Sequence, residues 1–567
     1  MRNFGLAVTL GLSVGVSIAL SCGPASRGPG GDDDGSNGSN GSNGSNGQCT
    51  GGSCSATCEA ANMNHSSVGC EYYAIDMDGA IGPPYDACYA VFVANVSTSA
   101  VHINVDWGGQ AIDLAQFAKL PQGTGTALTY GTYDPAAGLD PGKVAILFLD
   151  YNPASLLFGN VPCPVTAALA GGVQVHGTGV GTAFHITTDT PVVAYQMLPY
   201  GGGKAAATGA SLLIPTSAWQ QNYIAVGAYD VLPAPPINIP GNGPSHDIVA
   251  AVDNTTVTIR PKSAIAAGSG VPAGTANTPW TMTLNKGQYV QLTQTSQLSG
   301  SPITSSAPVG VFGGHPIMSI DRCCGDHGEQ MLTPVSALGS VYVAAPHPDR
   351  EPGSFSDPRV FRIYGAVDGT QLTYDPPGTG AASVNLGDQI EIRTTGPFSV
   401  SSQDTDHPFS MFTYMTGAGD GSGSDANWVG GYGDPDFVRL VPPPQYLGHY
   451  VFFTDPTYPF TALTVVRQKV NNAFADVTLT CMGTIPAADW KPVGTSGTYQ
   501  IAHEMIVDNF TGQHGCNNGV NIMDSANPFG LWVWGWGSDE TSPKTGWVSY
   551  GYPAGEAVLP INNVVIE

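Results

Sequence analysis

Five side chains between positions 315 and 329 are the best candidates for chemistry: His315, Asp321, Asp326, His327 and Glu329. Imidazoles and carboxylates this close can ligate zinc or another divalent cation. The competing reading, preferred here, is that they hydrogen-bond a long loop between modules, with no metal and no catalytic role. An Asp-rich loop follows at 420–436, where Asp420, Asp425, Asp434 and Asp436 offer the oxygen ligands that Ca²⁺ takes. It lacks the regular spacing of an EF-hand and is read as a polar, Gly-rich loop. Trp532, Trp534 and Trp536 alternate along Leu531–Gly537, which puts all three on one face of a strand. Exposed, such a stripe would bind carbohydrate or protein; buried, it fills a core, and burial is the expectation. A Gly-x-Ser-x-Gly motif occurs at Gly11–Gly15, inside an apolar leader where it has no catalytic meaning. No phosphate-binding loop is present, and His503-Glu504 lacks the second histidine of a zinc-protease helix. No catalytic residue and no cofactor are assigned, and the chain is not read as an enzyme.

The elements that position these residues begin after an export signal. Arg2 precedes an apolar run from Phe4 to Leu20, which ends at Ala19-Leu20-Ser21-Cys22. This ending resembles a bacterial lipobox, which implies lipid attachment at Cys22. Residues 22–48 are Gly-, Ser- and Asn-rich and cannot form a core. As a flexible coil they would span roughly 28 Å, a tether between a membrane and a folded body. Cys22 apart, ten cysteines remain. An oxidising compartment favours disulfides over zinc for them. Cys481 and Cys516 are expected to pair. Six others between Cys49 and Cys163 allow 15 pairings among which the sequence does not choose. The adjacent Cys323 and Cys324 are left open.

Composition excludes some classes outright. Lys plus Arg is 18 against 43 for Asp plus Glu, a net charge of −25, which repels nucleic acid. The 75 glycines and 45 prolines disfavour long helices and suit short strands joined by turns. Four runs share one pattern of Pro, three apolar or small residues and an aromatic: Pro191–Tyr195, Pro308–Phe312, Pro408–Phe412 and Pro528–Trp532. Pro215, Pro334 and Pro442 each precede by eight positions a Tyr with a β-branched neighbour. Val252-Asp-Asn-Thr255 matches Val367-Asp-Gly-Thr370, and Asn285-x-Gly287 matches Asn385-x-Gly387. The second copy contains seven strand-like runs, among them Ser301–Thr304 and Val309–Phe312 as separate strands, each proline heading its strand.

The prediction is therefore all-β: tandem antiparallel β-sandwich-like modules, with a large-bladed propeller-like assembly as the alternative. The expected divisions are a signal peptide at 1–21, a lipid-anchored tether at 22–48, a Cys-rich first module at 49–203, a second at 204–320, a third at 321–425 and a fourth at 426–567.

Several stretches carry a family resemblance: Gly69-Cys-Glu-Tyr-Tyr-Ala74, Ala251–Ile259, Pro308–His315, Gly325-Asp-His327 with Glu329-Gln330, Gly433-Asp-Pro435 and Ser549–Gly555. Together they resemble the IgGFc-binding protein N-terminal domain family, in bacterial lipoprotein form. The resemblance implies a binding protein without a catalytic centre. This chain departs from the family at Ile317, where a cysteine is usual. The expected function is a non-enzymatic cell-surface lipoprotein that adheres to or binds a surface glycan or protein, exported to the outer membrane or cell surface. An exported metal-dependent hydrolase and a purely structural envelope protein are the alternatives.

Overall fold

The chain divides into two units, Met1–Gln48 and Cys49–Glu567. A computed structural model describes residues 57–79, 87–152, 162–202, 205, 207–230, 243–321, 325–350, 357, 359–418 and 431–567, all in the second unit. The fold is all-β, and every ladder between its strands is antiparallel. Each of the four copies is organised by one long strand: Phe184–Leu198, Pro302–Met318, the pair Ser399–Ser402 and Phe409–Met415, and Gly519–Trp536. The four Pro-to-aromatic runs all lie at this same place in the topology.

The proline does not head the strand in three of the copies. Ser301–Thr304 and Val309–Phe312 are not separate runs but parts of the one strand Pro302–Met318. Its first half pairs with Thr255–Ile259 and its second half with Ser245–Ala250. Pro308 lies between them, where the register against Gln220–Ile224 shifts. The missing N–H therefore falls at an irregularity, where no ladder bond is lost. Pro191 and Pro528 sit at equivalent shifts, between Thr187 and Val192 and between Asp524 and Phe529.

A tyrosine marks each of these crossings. Tyr72 Oη donates to Val192 O (2.7 Å) and Tyr223 Oη to Val309 O (2.8 Å). Tyr450 Oη donates to Phe529 O. In the third copy the Tyr342 ring packs on Phe409, with centroids 4.9 Å apart. In every case the partner is the residue after the proline. Pro215, Pro334 and Pro442 cap one-turn 3₁₀ helices that lead into Tyr223, Tyr342 and Tyr450. The matched turns are also alike in detail. Thr255 Oγ1 donates to Val252 O and Thr370 Oγ1 to Val367 O, while the Asp253 and Asp368 carboxylates each accept a backbone N–H at 3.0 Å.

A short strand completes each sheet along the second half of the long strand: Gly209–Leu212, Asp326–Met331, Asp436–Arg439 and Ser549–Pro553. The four strands pack one against the next, the last against the first, in a closed ring. We call them the axial strands. The cores follow this geometry. One unites residues of the first and fourth copies with part of the second, another joins the second to the third, and another the third to the fourth. Each sheet thus buries its faces against its neighbours, and Gly179–Thr182 of the first copy even joins the second copy's sheet.

Three disulfides lie among the described residues: Cys58–Cys70, Cys88–Cys163 and Cys481–Cys516. Their Cα separations, 5.7, 4.9 and 4.9 Å, sit within the usual range. Cys22, Cys49, Cys54, Cys323 and Cys324 lie outside the described residues.

Candidate functional site: the buried axis

The candidate residues converge on the ring of axial strands. Asp326, His327 and Glu329 belong to one axial strand, and His315 stands across from Gly328 on the adjoining long strand. Close approach is built into the local sequence. A Cβ on Gly313 would lie 1.7 Å from Val226 O, and one on Gly310 would lie 2.6 Å from the Trp219 ring. These glycines let neighbouring backbone and side chains close directly over the strand that carries His315.

The cluster is sealed. His315, Asp326 and Glu329 are 0% exposed and His327 is 1% exposed. Asp321 is not with them. It sits on a surface turn and pairs with Arg393 of the third copy. His315 Nδ1 accepts a hydrogen bond from Ile317 N (3.0 Å), which fixes a neutral ring with its proton on Nε2. Burial, helped by the neighbouring His327, pushes the His315 imidazole down to about 3. Gln196 of the first copy donates to Glu329 Oε2, while His327 Nε2 stands 3.9 Å from the same atom. Burial raises the Glu329 carboxyl above its usual value.

Asp326 is the hub of the axis. Its Oδ1 accepts from His327 N (3.1 Å) and its Oδ2 from Ser549 Oγ (3.2 Å). Ser549 Oγ also lies 2.8 Å from Asp434 O, and Thr208 Oγ1 donates to Ser549 O (2.7 Å). Burial first, and then Asp434 and Asp436, push the Asp326 carboxyl well above its ordinary range. Asp434 and Asp436, the described part of the Asp-rich loop, are therefore axial and buried. Asp420 and Asp425 lie outside the described residues. Lower on the axis, Gln330 Nε2 donates to Ala210 O and Gly551 O, both at 2.9 Å. All four copies thus contribute to one polar core that ties the ring together.

This arrangement holds protons but offers them to nothing outside. Among the described residues no three His, Cys, Asp or Glu side chains assemble as a metal site. The tryptophan stripe is also internal. Trp532, Trp534 and Trp536 are 0% exposed and fill the core between the third and fourth copies. Trp532 Nε1 donates to Arg439 O at 3.1 Å. The sequence reading missed Thr208, Gln196 and Ser549 as axial partners, since each is an ordinary strand residue. The two Gly-Asp pairs, Gly325-Asp326 and Gly433-Asp434, are the sequence signal that marks the start of axial strands.

Comparison with known proteins gives the family. The family described as IgGFc binding protein matches residues 209–535. The chain belongs to the IgGFc-binding protein family. That match runs from the first axial strand almost to the end of the last long strand, so it covers three of the four axial strands and leaves out most of the first copy and the last axial strand. A human relative, the IgGFc-binding protein, is 30% identical over 250 residues. That stretch is 43% of this chain but only 4% of the human protein's length. The stretches that carry the resemblance map onto architecture: Pro308–His315 is the crossing and second half of a long strand, and Gly325–Gln330 and Ser549–Gly555 are axial.

Proposed function

We propose that the chain is a non-enzymatic binding protein of the bacterial cell surface, held to a membrane by a lipid on Cys22. Its partner is a surface glycan or protein. The observation that carries the reading is the sealing of His315, Asp326, His327 and Glu329, which leaves the best candidate groups for hydrolysis without access to substrate. Membership in a family whose human relative is called IgGFc-binding supports binding as the activity. The net charge of −25 argues against nucleic acid as the partner. The export leader and the Gly/Ser/Asn-rich stretch supply the tether, and a single acyl chain would anchor only marginally, so the multiple chains of a lipoprotein matter.

Three measurements test this. Cys22→Ser should move the protein from the detergent phase to the soluble fraction; an unchanged membrane fraction removes the lipid anchor. The full chain, displayed on an array of glycans, glycoproteins and immunoglobulins, should show saturable binding. Turnover of ester or peptide substrates that a chelator abolishes would favour the hydrolase instead.

A further inference from the structure

A cleft of about 240 Å³ opens where the ring closes, between the first and fourth copies. Tyr130, Tyr200 and Phe510 give it ring faces, Pro162, Pro164 and Pro543 line it, and Thr126 and Thr457 bring hydroxyls. Among the described residues, no side chain charged at neutral pH lines it. The two tyrosine hydroxyls bond to each other at 2.8 Å, and burial pushes Tyr130 up to about 12, so both are neutral.

The walls are built by unusual backbone. Asn509 and Phe510 have φ of 46° and 61°, values that non-glycine residues rarely adopt. Phe510 is thereby set against Gly125 of the first copy, where a Cβ would lie 2.8 Å from the Phe510 ring. A Cβ on Gly202 would lie 2.2 Å from the Tyr458 ring, so Tyr458 backs the floor. Beside it is Asp455, 1% exposed. Its Oδ1 accepts from Thr457 N and Oγ1, each at 2.7 Å, and its Oδ2 has no partner.

We propose that this cleft binds one neutral sugar ring, the terminal residue of a glycan. Resting on the binding-protein reading, the assignment follows from three features. The lack of charge among the described lining residues offers phosphate and sulfate no partner, and an acidic chain would repel them in any case. Aromatic faces beside hydroxyls and exposed backbone suit a ligand with apolar C–H faces and a polar rim. The volume falls below the roughly 300–1,000 Å³ of sites for larger ligands, which suits a single ring better than an extended peptide.

The test uses the full chain and the methyl glycosides of glucose, galactose, mannose and N-acetylglucosamine as probes, read by saturation-transfer NMR and titration. One of them should bind with a Kd of roughly millimolar order, as expected for an isolated ring. Thr126→Trp, which fills the mouth from an exposed position, should abolish binding without changing the melting temperature. Phe510→Ala and Tyr130→Phe should each weaken it several-fold. If Thr126→Trp binds sugar as the wild type does, the site is elsewhere and the cleft assignment fails, while the binding-protein reading stands. Failure of the wild type to bind any of the four, or a cleft that takes a proline-rich peptide instead, also overturns it.

Discussion

Asp326 and His185 should both lose stability as pH rises, over different windows and for different reasons, because burial raises one and ion pairing the other. Asp326 has its carboxyl raised by burial and by Asp434 and Asp436. Its neutral form is the one the fold accepts, so stability should fall as pH rises above the unfolded carboxyl value of about 4. A tenfold difference in acidity between the folded and unfolded states corresponds to about 1.4 kcal/mol. Asp326→Asn keeps the shape without the charge. Denaturant midpoints at pH 5 and pH 8 should therefore differ less in the variant, by about 1 kcal/mol or more, and identical pH slopes would refute the assignment. His185 has the same sign from the opposite cause. Burial pulls its imidazole down, yet hydrogen bonds to Glu71 (2.9 Å) and Asp106 (2.7 Å) hold it above its ordinary value. The protonated form is the stabilising one. Its contribution should be complete below about pH 6.5 and lost as pH climbs through the raised folded value. With Glu71 40% exposed, solvent screening limits the effect to about 1 kcal/mol. His185→Gln should cost that much at pH 5.5 and less at pH 8.5. A deficit equal at both pH values would mean that the pair does not titrate as described.

At the scale of elements, the long strand carries the repeat. Phe312 and Phe412, the aromatics that close two of the Pro-to-aromatic runs, are buried in different cores. Truncating either to Ala should cost about 3–5 kcal/mol, measured by chemical denaturation; a loss below about 1 kcal/mol would contradict the packing. Cys481→Ser should cost about 2–5 kcal/mol and leave Cys516 open to alkylation in the denatured protein. Alkylation of Cys516 in the unreduced wild type would show that the bridge does not form. The strands and turns were legible in the sequence because they obey local rules. Alternation in Thr256–Arg260, the paired turns after Val252 and Val367, and the Pro anchors all report backbone needs within a few residues. The place of the proline was not legible, because a Pro at a strand head and a Pro at a register shift look alike until the partner strands are known. The axial partners were hidden for the same reason. Gln196 and Glu329, 133 positions apart, meet only through the ring, and no periodicity in the chain announces it.

For the whole molecule, the decisive fact is that the cores lie between copies. The first and fourth copies are joined by the Phe92–Phe453 and Tyr195–Tyr552 ring contacts, with centroids 4.7 and 4.6 Å apart. Tyr195 Oη donates to Ala554 O (2.8 Å), Glu556 N to Ser67 Oγ (3.1 Å) and Val558 N to His65 O (2.7 Å). A copy removed from such a ring takes half of two cores with it. Deleting residues 440–567 would strip Trp532, Trp534 and Trp536 from the core shared with the third copy. It would also expose Phe92 and Tyr195 of the first. Independent domains would instead keep their own cores and melt one by one. The ring therefore predicts a single cooperative unfolding transition for residues 49–567, with calorimetric and van't Hoff enthalpies in agreement. It also predicts that the fragment 49–439 is protease-sensitive throughout. Separate transitions, or a protease-resistant folded fragment lacking the fourth copy, would mean that the contacts across the closure contribute little and that the copies stand alone.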